Sequence, residues 1–373
     1  MDNPVLEQLN RKGASGILTI DLGALRRNYL ALSARLAPAM AAAVVKANAY
    51  GLGSEHVAPI LHDAGCRNFF VAHFAEAVAL KRYLAGDVRI FVLNGLQPGN
   101  EEACADAGFI PVLNSLEQVR NWVSTARARR TTLPAVLQFD TGMSRLGLPP
   151  VEIRALAADP ALLEGIDVIL IMSHLACADD RDSDQNRDQL AAMREASAMF
   201  PGTPVSLANS GGIFLGLDFH GALARPGIAL YGGAPTEGVA NPMQPVVSLD
   251  VRVIQTRTVP AGTRVGYGGV HATTGERRLA TIAAGYADGL PRHLSDRGAA
   301  YHGGVRLPIV GLVSMDSITL DVTELAPGTL TLGSLVEVIG PHQSLEQVAA
   351  DAGTISYEIL TGLGQRFHRD YRY

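Results

Sequence analysis

Over its first two thirds the chain alternates short apolar runs with amphipathic stretches. The first run, 17–22, predicts a strand. The pattern after it predicts a helix carrying Leu25, Tyr29, Leu30, Leu32 and Leu36 on one side. Eight more runs follow, at 42–47, 68–72, 89–93, 109–113, 135–139, 168–172, 205–208 and 227–230. Helical patterns stand between them, as at 54–64, 76–84, 116–128 and 188–199. Strands apolar on both faces, each followed by a helix and repeated eight times, point to an α/β fold of the (β/α)8 TIM-like barrel kind. A doubly wound open sheet competes, but no G-x-G-x-x-G follows the first strand.

Near residue 240 the pattern changes. Asn241-Pro242-Met243-Gln244-Pro245 reads as a linker. Beyond it, short β-like runs at 246–252, 278–282, 305–312, 317–321 and 334–339 are separated by Gly and Pro turns, with a helix at 344–352 and a further segment at 354–360. The expected division is a barrel over 14–242 and a C-terminal mainly-β domain over 243–373, with residues 1–13 packed on the latter.

Composition narrows the class. Of 373 residues, 47% are hydrophobic and 18% charged, enough for a large core and far from a disordered composition. A net charge of −5 with no basic block favours neither nucleic acid nor an anionic membrane surface. Cys66, Cys104 and Cys177 are far apart and lack metal spacing, which fits a reduced compartment. The first residues show no basic start and no apolar core of a secretion signal, so a cytoplasmic location is expected. The acidic stretch 179–182 lacks a ligand pattern and reads as a solvated loop.

The chemistry gathers at the expected strand ends. Lys46 closes the apolar run of strand one and enters a turn of small residues. There desolvation disfavours the ammonium and suits Schiff-base chemistry, although a strand-end lysine is often only a snorkelling one. Arg145 follows strand five, His174 ends strand six, Asn209-Ser210-Gly211-Gly212 follows strand seven, and Arg225-Pro226-Gly227-Ile228 opens strand eight. Active sites of such barrels are built at C-terminal strand ends, with phosphate sites after strands seven and eight. N–H groups around Ser210, Gly211 and Gly212 suit a phosphate. Taken singly, His174 is as good a core histidine, and Ser210-Gly211-Gly212 as good a plain turn.

Six motifs, taken together, resemble the alanine racemases. They are residues 43–51 (AVVKANAYG), 140–143 (DTGM) with Arg145, 224–227 (ARPG), 266–268 (GYG), 285–289 (GYADG) and 314–316 (SMD). The resemblance runs from about Leu18 to the C-terminus. It implies a homodimer that interconverts L- and D-alanine through an aldimine of pyridoxal 5'-phosphate (PLP) and supplies D-alanine for peptidoglycan. Lys46 would hold PLP and act as one base, and Tyr267 from the partner subunit as the other. A tyrosine needs a nearby imidazolium or guanidinium to lower its pKa for that role. Arg225 would face the pyridine nitrogen as a pure donor and weaken the electron sink. His174 would pack on the ring, and Tyr50, Asn209, Ser210, Gly227, Ile228 and Tyr357 would serve the cofactor. Arg145, Met315 and Tyr286 would serve the substrate, with Arg292 on its access path.

One position departs from the family pattern. Where many members carry a carbamylated lysine, seven residues before Arg145, this chain has Gln138. Glutamine cannot be carbamylated, though its carbonyl could accept from Arg145. The alternatives to an alanine racemase are a serine or broad-specificity racemase, a decarboxylase on the same fold, and a non-catalytic PLP carrier. The decarboxylase reading is disfavoured because no cysteine lies beyond Cys177, and the carrier reading by the long β region with Tyr267.

Overall fold

A computed structural model describes residues 12–373. The expectations for residues 1–11, a missing signal and packing on the β domain, lie outside the described residues. Two compact units form. One is Leu25–Gln244; the other joins the described residues up to Ala24 with Pro245–Tyr373.

The first unit is the barrel. Seven parallel strands pair in sequence order: Ala43–Val44, Asn68–Val71, Arg89–Val92, Ile110–Leu113, Leu133–Gln138, Ile166–Met172 and Val205–Ser206. The eighth, Leu223–Ala224, pairs with Met40–Ala41 and closes the ring. Ala222 N–H donates to Val205 O and Arg225 N–H to Ala208 O on one side of it; Ala42 and Val44 N–H reach Ala224 O and Pro226 O on the other. Most strands are largely buried, as Asn68–Val71 and Ile110–Leu113 are throughout, which is why they read as continuous apolar runs, although Ile166–Met172 is buried only over its second half. Phe70 and Phe91 stack at 4.4 Å within this core.

The eighth strand corrects the expected run at 227–230. Those residues form a turn in which Leu230 N–H bonds to Gly227 O and Tyr231 N–H to Ile228 O. Ile228, Ala229 and Leu230 are buried although they lie in a turn and are not extended. Arg225 therefore ends strand eight instead of opening it.

Helices follow most strands, among them Ser54–Asp63, Phe74–Lys81, Glu101–Ala107, Leu116–Arg129, Pro150–Ala158 and Asp184–Ala198. The helix after the first run spans Leu22–Leu36 and buries Leu25, Tyr29, Leu32 and Leu36; Leu30 is exposed.

The second unit is β-rich. Its main sheet runs Val305–Pro308, Ala299–His302, Leu335–Ile339, Val247–Val259, Gly16–Asp21, His368–Arg372. Val247–Val259 alternates buried and half-buried residues as far as Val253. A register shift between Val253 and Gln255 then lets its second half pair with Arg277–Ile282, which pairs in turn with Ile318–Asp321. Gly16–Asp21 lies between Val247–Val259, antiparallel, and His368–Arg372, parallel. That placement corrects the expected barrel start at residue 14: the strand belongs to the β unit. Helices Leu345–Asp351 and Ser356–Gly362 complete it. Among the described residues no helix is long and apolar enough to cross a membrane, and no acidic or His/Cys group could hold a metal ion.

Candidate active site

The turn after strand one is unusual in its backbone. Lys46 is half-buried and follows Ala43–Val44 by two residues. Ala47, Asn48, Ala49 and Tyr50 then all have positive φ, from 53° to 56°. Each L-residue there costs of order 1–2 kcal/mol, so the turn persists only where its surroundings hold it. Ala49 N–H bonds to Val45 O, Gly51 N–H to Ala47 O, and Ser54 N–H to Asn48 Oδ1. Burial and then the Arg145 charge hold the Lys46 amine below its usual pKa, while Glu76 opposes them. A lysine so placed is a better nucleophile at neutral pH than a solvated one.

Arg145 stands on a loop knotted by Asp140. One Asp140 oxygen accepts from the N–H groups of Gly142, Met143 and Ser144, at 3.0, 3.1 and 3.0 Å. Asp140 N–H and Leu148 N–H close the loop base on Leu148 O and Gln138 O. The Arg145 side chain is exposed and Gln138 is buried. Among the described residues no hydrogen bond joins them, so Gln138 does not take over the partner role allowed for its carbonyl.

Arg225 is 3% exposed. Among the described residues its guanidinium meets no carboxylate; it donates to Ser206 Oγ, to Ser173 O at 2.6 Å and to Leu207 O at 3.5 Å. Burial lowers it to about 10, so it stays charged near neutrality. Ser206 Oγ in turn donates to Leu223 O at 2.5 Å. The fork is thus fixed by the ends of strands six and seven.

His174, half-buried after strand six, is pushed down to about 3, by burial first and then by Arg225, Arg145 and Lys46. An imidazolium is therefore excluded here near neutrality, and the guanidinium groups that press on it are Arg225 and Arg145. The shift predicts a stability effect in the cofactor-free protein. Below the unfolded value of 6.5 the unfolded chain takes up a proton that the folded chain refuses until about pH 3. Stability should be insensitive to this group above pH 6.5 and fall progressively between 6.5 and 3. His174→Gln should flatten that fall when urea midpoints at pH 7 and pH 5 are compared; equal pH dependence in both proteins would count against it.

The loops after strands seven and eight form a cradle. Ser210 is buried, and its oxygen accepts from Gly227 N–H at 2.9 Å and Ala229 N–H at 3.3 Å. Its own proton stays uncommitted among the described residues, as do the N–H groups of Ser210, Gly211 and Ile228. A Cβ on Gly227 would come within 2.2 Å of the Tyr50 hydroxyl, and one on Gly211 within 2.5 Å of Ala178 O, so only glycine permits either close approach. Tyr50 stacks on Tyr231 at 4.6 Å, and Tyr231 Oη donates to Val44 O. Asn209 is otherwise occupied: its amide bonds to Leu175 O and to Gly212 N–H, which starts the helix Gly212–Leu215.

The remaining expected residues belong to the β unit. Tyr267 begins a short turn, Tyr267–Gly269, between the paired strands Arg264–Val265 and His271–Ala272, and is 73% exposed. Tyr286 and Met315 are exposed on two segments zipped together: Tyr286 N–H bonds to Ser314 O and Ala287 N–H to Met315 O. Tyr357 is exposed on Ser356–Gly362. Two supporting residues, Glu76 and Arg366, carried no signal in the sequence reading, and Asp140 was read only as part of its motif. Arg366 clasps Asp288 through Nε and Nη2, at 2.6 and 2.7 Å, and Asp316 through Nη1 at 2.6 Å. It thereby ties the Tyr286 turn to the Met315 loop.

The model of the alanine racemase N-terminal domain matches residues 20–235, and that of the C-terminal domain matches 246–371. The chain belongs to the alanine racemase family. It is 64% identical over 379 residues to "Alanine racemase, catabolic" of Rhizobium johnstonii, covering 100% of both chains. It is 62% identical over 371 residues to the protein of the same name from Agrobacterium fabrum, covering 100% of this chain and 96% of that one. Among solved structures, alanine racemase from Bartonella henselae with covalently bound pyridoxal phosphate superposes with a TM-score of 0.93. It is 47% identical, with 96% of this chain and 99% of that one covered. As an alanine racemase the chain is an isomerase whose cofactor is pyridoxal 5'-phosphate. The residues present fit that group: a half-buried lysine of lowered pKa, a donor-only guanidinium, and a glycine-lined cradle with N–H groups uncommitted among the described residues for a phosphate.

Proposed function

We propose that this alanine racemase interconverts L- and D-alanine with Lys46 and Tyr267 as the two bases. The observation that carries the reading is the barrel rim itself, where Lys46, Arg145, His174, Ser210 and Arg225 meet at consecutive strand ends. PLP, when bound, supplies the electron sink that lets a Cα–H bond break. The rest is the work of the chain. Lys46 holds the cofactor and moves the Cα proton on one face. Tyr267 moves it on the other, since inversion without turning the substrate needs a base on each side. Arg225 can only donate, so a pyridine nitrogen against it stays unprotonated and the sink stays modest, which restrains side reactions. Ser210, Gly211 and Ile228 offer hydrogen-bond donors to the phosphate, with Tyr50 and Tyr357 beside them. Asn209 supports that cradle through Gly212. His174 packs on the ring as a neutral group. Arg145 and the Met315 N–H receive the substrate carboxylate, and Tyr286 borders the substrate.

Tyr267 is exposed and reaches solvent on its own unit, which supports a site completed by a partner subunit and hence a working homodimer. A cytoplasmic setting agrees with the three free cysteines. D-Alanine made in this way serves peptidoglycan. The word "catabolic" in the names of the Rhizobium and Agrobacterium proteins supports a second use of the same reaction, the breakdown of alanine. The two enantiomers have equal free energy, so no residue sets the direction; supply and removal do.

The test is D-alanine formation from L-alanine by the PLP-loaded protein, with L-serine in parallel. Rapid turnover of alanine with little of serine is the expected result. Comparable turnover of serine would shift the reading to a broad-specificity racemase, and bound PLP with no turnover would overturn it.

A further inference from the structure

Glu76 opens the helix Phe74–Lys81, three residues past its N-cap His73. An acid there that accepts the N-cap N–H is an ordinary helix start. One oxygen does that: Oε2 accepts from His73 N–H at 3.0 Å and Ala72 N–H at 2.7 Å. The other has no part in capping. Oε1 accepts the N–H of Ala47 at 2.6 Å, from a residue 29 positions away in the chain and directly after Lys46. Ala47 is also the first of the four successive residues at positive φ.

We propose that Glu76 is a positioning residue for Lys46, anchoring the left-handed turn through Ala47 N–H and facing the lysine amine with a fixed negative charge. The inference rests on the reading of Lys46 as the PLP lysine. A carboxylate is needed because all three groups it meets are donors. In Glu76→Gln one end of the side chain becomes an NH2, which would face either Ala47 N–H or the Ala72 and His73 pair, donor against donor. The charge matters as well. Lys46 is surrounded by Arg145 from the loop after strand five, by neutral His174 after strand six, and by Glu76. Glu76 is the anion of that set, and it counters the downward push of burial and of Arg145 on the amine.

The experiment uses the full chain reconstituted with PLP. Three variants are compared with the parent: Glu76→Gln, Glu76→Asp and Asn48→Ala. The last frees Ser54 N–H and so loosens the same turn without changing charge. PLP dissociation constants and the pH titration of the bound chromophore are read for each. Glu76→Gln should weaken PLP binding about tenfold or more and move the chromophore titration to lower pH. Glu76→Asp should restore the titration point while binding stays weakened, because the charge returns on a shorter arm. Asn48→Ala should weaken binding with the titration point unmoved. A Glu76→Gln protein with parental affinity and titration overturns the proposal. So does one whose titration stays put while binding falls as in Asn48→Ala, since that is structural support alone. If circular dichroism shows Glu76→Gln unfolded, Glu76→Asp decides: parental PLP affinity in that variant overturns the proposal. Borohydride trapping of PLP on Lys46 in the parent separates the two levels. No adduct on Lys46 would sink the cofactor reading itself, whereas an adduct with unaffected Glu76 variants sinks only this inference.

Discussion

Tyr267→Phe is expected to keep bound PLP and lose racemisation by about 10²- to 10⁴-fold, the usual worth of a positioned general acid–base group. The fold should not notice the change. The side chain is 73% exposed, and the backbone of its turn is set by Gly266, Gly268 and Gly269, all at positive φ. Stability should therefore stay within about 0.5 kcal/mol of the parent, as for an exposed substitution. Removal of the phenol oxygen takes away one proton carrier and nothing that holds the cofactor. Because the equilibrium constant between enantiomers is unity, kcat/KM must fall by the same factor from either side. Unequal loss would signal a fault in the assay, and full activity would show the two-base assignment to be wrong.

Lys46→Ala should be more severe, with racemisation lost to the limit of detection. The lysine has two duties, the covalent hold on PLP and proton transfer on one face, and alanine can do neither. Here too the fold should survive. A half-buried amine of lowered pKa is a desolvated group, and its removal relieves that cost. The left-handed turn keeps its bonds from Ala49, Gly51 and Ala47, none of which involves the lysine side chain. Borohydride should then attach no cofactor to the protein, whereas Tyr267→Phe should be labelled like the parent. An exogenous primary amine should restore a part of the activity, by supplying the missing imine partner. Cofactor trapped on another lysine of Lys46→Ala would place the chemistry elsewhere. Together the two variants separate the group that holds and moves from the group that only moves.

Most of the barrel was legible because its strands are buried on both faces. Asn68–Val71 and Ile110–Leu113 read as apolar runs and are strands. Leu223–Ala224 was not legible, since two paired residues leave no pattern, while the buried turn after it looked like the strand. Ile17 to Asp21 read correctly as a strand, but a strand's sequence does not name its partner. Burial on both faces suits a barrel, and it suits equally the middle of the β unit's sheet, where this strand lies. His368–Arg372 was missed because a polar sequence near a terminus looks like a tail; it is the last strand in the order of its sheet. The reactive groups were legible through motif and placement at strand ends. Their supports were not. Glu76 looks like a helix cap and Arg366 like a surface cation, and each acts through contacts far along the chain, which leave no mark in residue type; Asp140 stands in a legible motif, but its hold on three backbone N–H groups does not show there.

The strand Gly16–Asp21 also fixes an order of events at the ribosome. It emerges before the barrel, yet both its neighbours, Val247–Val259 and His368–Arg372, are made after the whole barrel. At roughly 5–20 residues per second the wait lasts tens of seconds. During that time Leu25–Gln244 holds every strand of its own ring and can close, while an apolar segment remains tethered to it with both edges unpaired. The β unit is sealed only once His368–Arg372 has left the tunnel. Newly made chains are thus most exposed to misassociation through this one segment, and a circular permutant that moves residues 12–24 behind Tyr373 would shorten the wait to the length of the new linker.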